Sequence, residues 1–119
     1  MKGKGIDVEA MRRHVAQLTA TIQTLPVKRL RQAKAIRDDD GEVLELWLAP
    51  VRSALSYATA LHEIGHWKGH HRNSRNVMVR ERAAWQWARK NALIWTEAME
   101  RCAAKSLAYY EASNKPGGG

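Results

Sequence analysis

The feature that most constrains the fold is a pair of histidines, His62 and His66, which lie four residues apart with Glu63 directly after the first. On an α-helix this spacing puts both imidazoles on one face, aimed at one point. Neutral imidazole is a good zinc ligand, and a carboxylate beside the metal can act as a general base towards water. The motif therefore predicts a helix that carries two zinc ligands. The alternative is that both histidines only pack or cap the helix.

A third ligand has to come from elsewhere, because a catalytic zinc uses three protein ligands and keeps one position open. Glu81 lies on the next predicted helix, beyond a loop long enough for the chain to reverse direction. His70 and His71 are the alternatives. His70 follows His66 by one helical turn, provided that the helix continues through Gly69, and His71 lies in the polar loop. The sequence favours Glu81 and leaves the two histidines open.

The remaining patterns predict an α+β fold with the order helix, β-hairpin, helix, helix, helix. Apolar residues at helical spacing predict the first helix over about 8–25, with Asp7 as its N-cap. An Asp-Gly pair between two extended runs, about 32–37 and 42–49, predicts a β-hairpin or small antiparallel sheet. Three further helices are predicted over 53–68, 77–92 and 97–112, with Ser53 and Thr96 as N-caps.

Leucine spacing in the second extended run predicts which face of the hairpin is apolar. Leu44, Leu46 and Leu48 alternate with other residues, so they should share one face of the strand. Pro50 closes this strand, and the histidine helix follows it directly. As an exposed edge strand beside a zinc ion, it could hold an extended peptide by main-chain pairing. The alternative is a structural hairpin that only covers the core.

Composition limits the cellular setting. With 119 residues, the chain predicts one domain over 1–113 and a flexible tail over 114–119. No apolar run approaches the roughly 20 residues of a membrane-spanning helix, and Cys102 is the only cysteine. These features predict a cytoplasmic protein without a disulfide. The net charge of +8 would attract nucleic acid, an anionic surface or an acidic protein, although a solvated basic surface has the same composition.

The zinc helix and the helix after it carry a family resemblance. Residues 53–66 resemble the zinc helix of small gluzincins of the ImmA/IrrE type. Residues 81–88 are similar to that family's second helix, in which a glutamate is the third zinc ligand. Residues 62–69 also resemble the zincin part of ArdC-type antirestriction proteins. The resemblance covers roughly residues 33–92.

The resemblance implies a minimal zincin, with zinc on His62, His66 and Glu81 and with Glu63 as the catalytic acid and base. It implies a cytoplasmic protein of phage or mobile-element origin that hydrolyses a peptide bond in a regulatory protein, such as a DNA-bound repressor. The alternative is a non-catalytic antirestriction or inhibitor protein that acts on a protein or DNA partner. This chain departs from the family at Trp85, where members often carry Asp or Asn to support a ligand histidine.

A residue that stabilises the transition state is not distinguished by the sequence. Many zincins use a tyrosine or histidine for this purpose. Tyr57, Tyr109 and Tyr110 are equal candidates, since no spacing separates them.

Overall fold

The computed structural model describes residues 7–70, 72 and 74–113. The helices are α1 (Val8–Ala20), α2 (Ala54–Lys68), α3 (Val77–Asn91) and α4 (Glu97–Ser113). The strands are β1 (Val27–Arg29), β2 (Lys34–Arg37) and β3 (Val43–Leu48). The predicted α+β class and element order are confirmed, with one additional strand. The predicted tail and the candidate ligand His71 lie outside the described residues.

The sheet has three strands, with β3 in the middle. The prediction that this strand is an exposed edge is therefore wrong, because β1 and β2 pair with it on both sides. β2 pairs with β3 in antiparallel orientation and forms the predicted hairpin. β1 pairs with the other edge of β3 in parallel, so the sheet is mixed. The sequence did not indicate β1, because a three-residue strand is too short to show an alternating pattern. Its pairing depends on contact with a strand about 20 residues further along the chain.

The hairpin turn is stabilised by an aspartate and a glycine. Oδ1 of Asp38 accepts hydrogen bonds from the backbone nitrogens of Asp40 and Glu42, both at 2.9 Å. The backbone nitrogen of Gly41 donates to the carbonyl oxygen of Asp38 at 3.0 Å. Gly41 has a φ of 87°, a conformation that is costly for a residue with a Cβ. The Asp-Gly signal thus predicted the turn correctly.

A register shift changes which residues of β3 face the core. Arg37 pairs with Val43, so Leu44 has no partner residue on β2. Leu46 and Leu48 are fully buried, but Leu44 is 48% exposed and Val43 is only 4% exposed. The prediction that the three leucines share one face is therefore wrong. An extra residue in a strand displaces the alternation of its side chains, and this displacement is invisible to a pattern with period two.

Helix α1 begins as predicted but ends early. The side chain of Asp7 caps its first turn, where it accepts from the backbone at 2.8 Å. The helix was predicted over about 8–25 and ends at Ala20. At this end, both the hydroxyl and the backbone nitrogen of Thr21 donate to the carbonyl oxygen of Leu18, at 2.6 and 3.1 Å. These i to i−3 bonds tighten the last turn and compete with continuation of the helix.

Helix α2 is the centre of the molecule. It contacts α1, α3, α4 and β3, and its residues Tyr57, Leu61 and Ile64 are fully buried. Ser53 caps it as predicted, and Ser53 and Ser56 form a reciprocal capping box. A helix surrounded in this way has little freedom to shift, so it provides a rigid base for the side chains of its second half.

The last two helices also begin at side-chain caps. Asn76 caps α3 by accepting from the backbone nitrogen of Val79 at 3.2 Å. Oγ1 of Thr96 accepts from the backbone nitrogen of Met99 at 3.1 Å, which confirms the predicted start of α4. Within the described part of the chain, no helix combines the length and the apolar character that a membrane crossing would require.

Candidate metal centre

The two histidines of the motif lie together on the buried second half of α2. The rings of His62 and His66 are edge to face, with their centroids 4.6 Å apart. His62 is 7% exposed and His66 is 5% exposed. The predicted convergence of the two imidazoles is therefore present, and it occurs in a protected place where charged partners matter strongly.

Glu81 reaches both histidines from α3. A Cβ added at Gly65 would lie 2.5 Å from the carbonyl oxygen of Ala84, so the two helices approach at a distance that only glycine allows. This approach places Oε1 of Glu81 2.9 Å from Nε2 of His62. Oε2 of the same carboxylate lies 2.9 Å from Nε2 of His66. The predicted third side chain thus joins the two histidines at the same ring position.

Glu63 approaches the cluster from another side. Its Oε2 lies 3.2 Å from Nδ1 of His62. His62, Glu63 and His66 offer nitrogen and oxygen atoms within 4.8 Å of one another, a spacing compatible with a metal ion. Glu81 has the better geometry for the third ligand, because it contacts Nε2 of both rings, whereas Glu63 contacts the other nitrogen of one ring. Glu63 is thus in place to orient His62, and its carboxylate would have to turn from Nδ1 to reach a water on an ion held at Nε2.

The carboxylates determine the protonation of the cluster in the absence of metal. Burial would lower the pKa of His62, but hydrogen bonds and charge from Glu63 and Glu81 outweigh it and raise the pKa to about 9. Burial would raise the pKa of Glu81, but hydrogen bonds from His62 and His66 lower it to about 2. At neutral pH His62 is therefore a cation, and a metal ion at its Nε2 would displace a proton.

The donor set is one that zinc uses. Two imidazole nitrogens and one carboxylate oxygen form one of the ligand sets of catalytic zinc. Glu81 contacts the two histidines through different oxygens, both at 2.9 Å. Ligand atoms around a tetrahedral zinc ion are about 3.3 Å apart, so these contacts would have to lengthen when an ion binds.

Trp85 supports His62 in a way that the sequence did not predict. The indole is stacked on the imidazole, with centroids 4.2 Å apart and planes 13° apart. Trp85 is 3% exposed, and its Nε1 has no hydrogen-bond partner among the described residues. Where the resembling family often has an Asp or Asn, this chain therefore restrains the ring by stacking. Hydrogen bonding to Nδ1 of His62 comes from Glu63 instead.

Arg37 is the site residue that the sequence analysis missed. Its Nη2 lies 3.1 Å from Nδ1 of His66. Burial and the nearby charge of Arg80 lower the pKa of Arg37, while the charges of Glu81 and Glu63 raise it. No motif marked this residue, because it lies 29 positions from His66 and its orientation depends on the register of the hairpin.

The other candidates are His70 and the tyrosines. Helix α2 ends at Lys68, so the condition under which His70 would follow His66 by one helical turn is not met. The hydroxyl of Tyr57 is held 2.6 Å from Nδ1 of His14. For Tyr110, burial raises the pKa, and the charge of Glu81 raises it further. Of the candidate tyrosines, Tyr110 is thus the one within electrostatic range of the cluster.

Comparisons with protein-family models, with curated proteins and with solved structures found no match. The resemblance to ImmA/IrrE-type and ArdC-type proteins therefore remains a sequence prediction.

Proposed function

We propose that this protein is a zinc-dependent metallopeptidase that hydrolyses a peptide bond in a regulatory protein. The observation that carries the proposal is the position of the Glu81 carboxylate, whose two oxygens lie 2.9 Å from Nε2 of His62 and Nε2 of His66. A second buried carboxylate, Glu63, lies beside the same cluster. Three converging ligands with an adjacent base are the parts that zinc-dependent hydrolysis needs.

Each residue has a distinct task in this proposal. His62, His66 and Glu81 hold the ion, and zinc bound there would lower the pKa of a water molecule and polarise the substrate carbonyl. Glu63 accepts a proton from the attacking water and passes it to the departing amine nitrogen. Tyr110, whose pKa is raised by burial and by the charges of Glu81 and Glu63, is the candidate hydrogen-bond donor to the substrate carbonyl oxygen.

The surroundings of the site favour a protein or peptide substrate with acidic character. The chain has a net charge of +8, which would draw an acidic partner or a DNA-bound protein towards it. Arg37 lies close enough to Arg80, Glu81 and Glu63 for their charges to shift its pKa. A cytoplasmic repressor of a phage or mobile element, as the family resemblance implies, is the substrate class that we propose.

Zinc content and a single substitution test the proposal. The purified protein should bind one zinc ion per chain, and Glu63→Gln should retain that ion while cleavage of a quenched fluorescent peptide library falls at least about 100-fold. Glu97→Gln is the control, because Glu97 is 95% exposed in its side chain and lies on α4. A native protein that holds no zinc at micromolar metal would exclude the proposal.

A second candidate is a non-catalytic zincin-fold protein that binds a protein or DNA partner. The observation in its favour is that His62, Glu81 and His66 already satisfy one another through hydrogen bonds without a metal ion. Such a cluster could serve structure alone. If Glu63→Gln retains the full biological effect of the protein, this candidate is correct and catalysis is not the function. Steep weakening of partner binding by salt would identify nucleic acid as the partner.

A further inference from the structure

The hairpin directs the side chain of Arg37 towards α2. Arg37 is the last residue of β2 and pairs with Val43 across the register shift. Side chains of directly opposed residues in an antiparallel pair project to the same face, and Val43 is 4% exposed in the core. Nη2 of Arg37 then lies 3.1 Å from Nδ1 of His66. Its Nη1 donates to the carbonyl oxygen of Arg72 at 3.0 Å, which fixes the guanidinium in place.

This contact determines where His66 carries its proton. A guanidinium has five N–H donors and no acceptor, so Nδ1 of His66 has to accept the hydrogen bond from Arg37. A neutral imidazole that accepts at Nδ1 carries its proton at Nε2. That proton faces Oε2 of Glu81 at 2.9 Å, where it has an acceptor. Arg37, His66 and Glu81 therefore form a consistent chain of hydrogen bonds.

Zinc would require the opposite arrangement at His66. A metal ion takes the lone pair of Nε2, and the proton of the neutral ring then lies at Nδ1, where ligand histidines normally donate to an acceptor. At His66 that proton would face the N–H of Arg37. At His62 the same nitrogen faces Oε2 of Glu63, an acceptor, at 3.2 Å. Nδ1 of His62 thus faces the acceptor that a ligand histidine needs, whereas Nδ1 of His66 faces a donor.

We propose that Arg37 holds the site in a metal-free form by fixing the proton of His66 on Nε2, and that zinc loading requires Nη2 of Arg37 to release Nδ1. This inference rests on the proposed zinc ligands. Arg37 remains a cation throughout, and His66 keeps one proton, which moves from Nε2 to Nδ1. Only the Nη2 contact has to break, because Nη1 has its own backbone partner in Arg72.

The first test locates the proton of His66 directly. In the full chain treated with chelator, long-range ¹H–¹⁵N NMR spectra should show His66 with its proton on Nε2 and an unprotonated Nδ1. Arg37→Met removes the donor and keeps an unbranched apolar stem, and in this variant the Nδ1–H form of His66 should increase. Apo wild-type protein with the His66 proton on Nδ1 would overturn the inference.

The second test measures zinc affinity by competition with a chromogenic chelator. Arg37→Met should bind zinc about 10-fold more tightly than the wild type, since contacts to the second nitrogen of a ligand histidine change metal affinity by roughly 10–100-fold. Arg37→Gln should also bind more tightly, because its shorter side chain no longer places a donor at Nδ1 of His66. It serves as a second variant if Arg37→Met folds poorly. Arg80→Met is the matched control. It removes a charge near Arg37, but the native Arg80 side chain donates to the carbonyl oxygen of Ser74 and not to a histidine.

The outcomes separate this inference from the proposed function. If wild-type protein binds zinc and both Arg37 variants bind it equally or more weakly, Arg37 does not oppose loading and the zinc site stands. If Arg80→Met gains as much affinity as Arg37→Met, the effect is one of general charge, and the inference is wrong. If wild type and all variants fail to bind zinc, the proposed function fails and the inference fails with it.

Discussion

His14 and His62 both place a ring nitrogen against a polar group, but their pKa values shift in opposite directions. His14 contacts the hydroxyl of Tyr57, in the first half of α2, at 2.6 Å. Its pKa is lowered by burial, which the neutral hydroxyl does not offset. His62, in the second half of α2, is more deeply buried, yet Glu63 and Glu81 raise its pKa to about 9. The charge of the partner, more than burial, therefore decides the protonation of a histidine here.

The two halves of α2 also differ in what their hydrogen bonds can do. Tyr57 joins α1 to the segment after α3, because its hydroxyl accepts from the backbone nitrogen of Leu93 at 2.9 Å and contacts His14. This arrangement satisfies buried polar groups and offers no charge. Glu63 and Glu81 concentrate charge at one point and can exchange a proton for a metal ion. The first half of α2 therefore supports structure, and the second half supports chemistry.

The largest expected effect follows from neutralising Glu81, the carboxylate of α3 that faces the second half of α2. Glu81→Gln should lower zinc affinity at least about 100-fold and, in chelator, reduce the free energy of unfolding by about 3 kcal/mol, because it leaves a buried imidazolium with one carboxylate instead of two. Chelator competition and urea unfolding measure the two effects. Glu97→Gln is the exposed control and should change stability by less than about 0.5 kcal/mol. Unchanged zinc affinity in Glu81→Gln would remove Glu81 from the ligand set.

The pKa shifts predict opposite pH dependences for the two histidines. The pKa of His62 rises from 6.5 to about 9 on folding, so its stabilisation is complete below pH 6.5 and is lost as the pH rises through about 9. The pKa of His14 falls below 6.5 on folding, so its contribution is present above pH 6.5 and is lost as the pH falls. The metal-free protein should therefore lose stability in both directions from about pH 6.5.

Urea unfolding in chelator at several pH values separates the two contributions. His62→Gln should show a smaller loss of stability than the wild type between pH 6.5 and about pH 9.5. His14→Gln should show a smaller loss below pH 6.5. Identical pH profiles for wild type and His62→Gln would mean that the carboxylates do not raise the pKa of His62, and the contrast between the two regions would disappear.

The smallest effect is expected in the first half of α2. Tyr57→Phe leaves the backbone nitrogen of Leu93 without its acceptor and should reduce the free energy of unfolding by about 1–2 kcal/mol. Zinc affinity should stay within about twofold of the wild-type value, because this region contributes no ligand. Tyr109→Phe is the matched control, since Tyr109 is 68% exposed. A Tyr57→Phe variant that loses zinc would show that the two halves of α2 are coupled.

The same contrast explains how much the sequence could predict. The second half of α2 was predicted well, because the spacing of His62 and His66 on a single helix depends on local geometry alone. The N-caps Asp7, Ser53 and Thr96 were predicted for the same reason, since a cap acts within three residues of its own position.

Features that depend on distant parts of the chain were not predicted. Strand β1 forms only because β3 lies beside it, and Leu44 faces solvent because of a register shift between two strands. Arg37 reaches His66 from β2, 29 positions earlier in the chain. The stacking of Trp85 on His62 depends on the distance between α2 and α3. None of these arrangements produces a periodic pattern of apolar residues in the sequence.

The contact between Gly65 and Ala84 has a consequence for the choice of ion. Because a Cβ at Gly65 would meet the carbonyl oxygen of Ala84 at 2.5 Å, backbone rests on backbone, and the spacing of the helices cannot be adjusted by side-chain rotamers. The distance between the helices that carry His62, His66 and Glu81 therefore has a fixed lower limit. An oxygen-seeking ion such as calcium needs six to eight oxygen ligands, whereas these three side chains offer two nitrogens and one carboxylate. The helix contact thus holds a donor set suited to zinc at a defined closest approach.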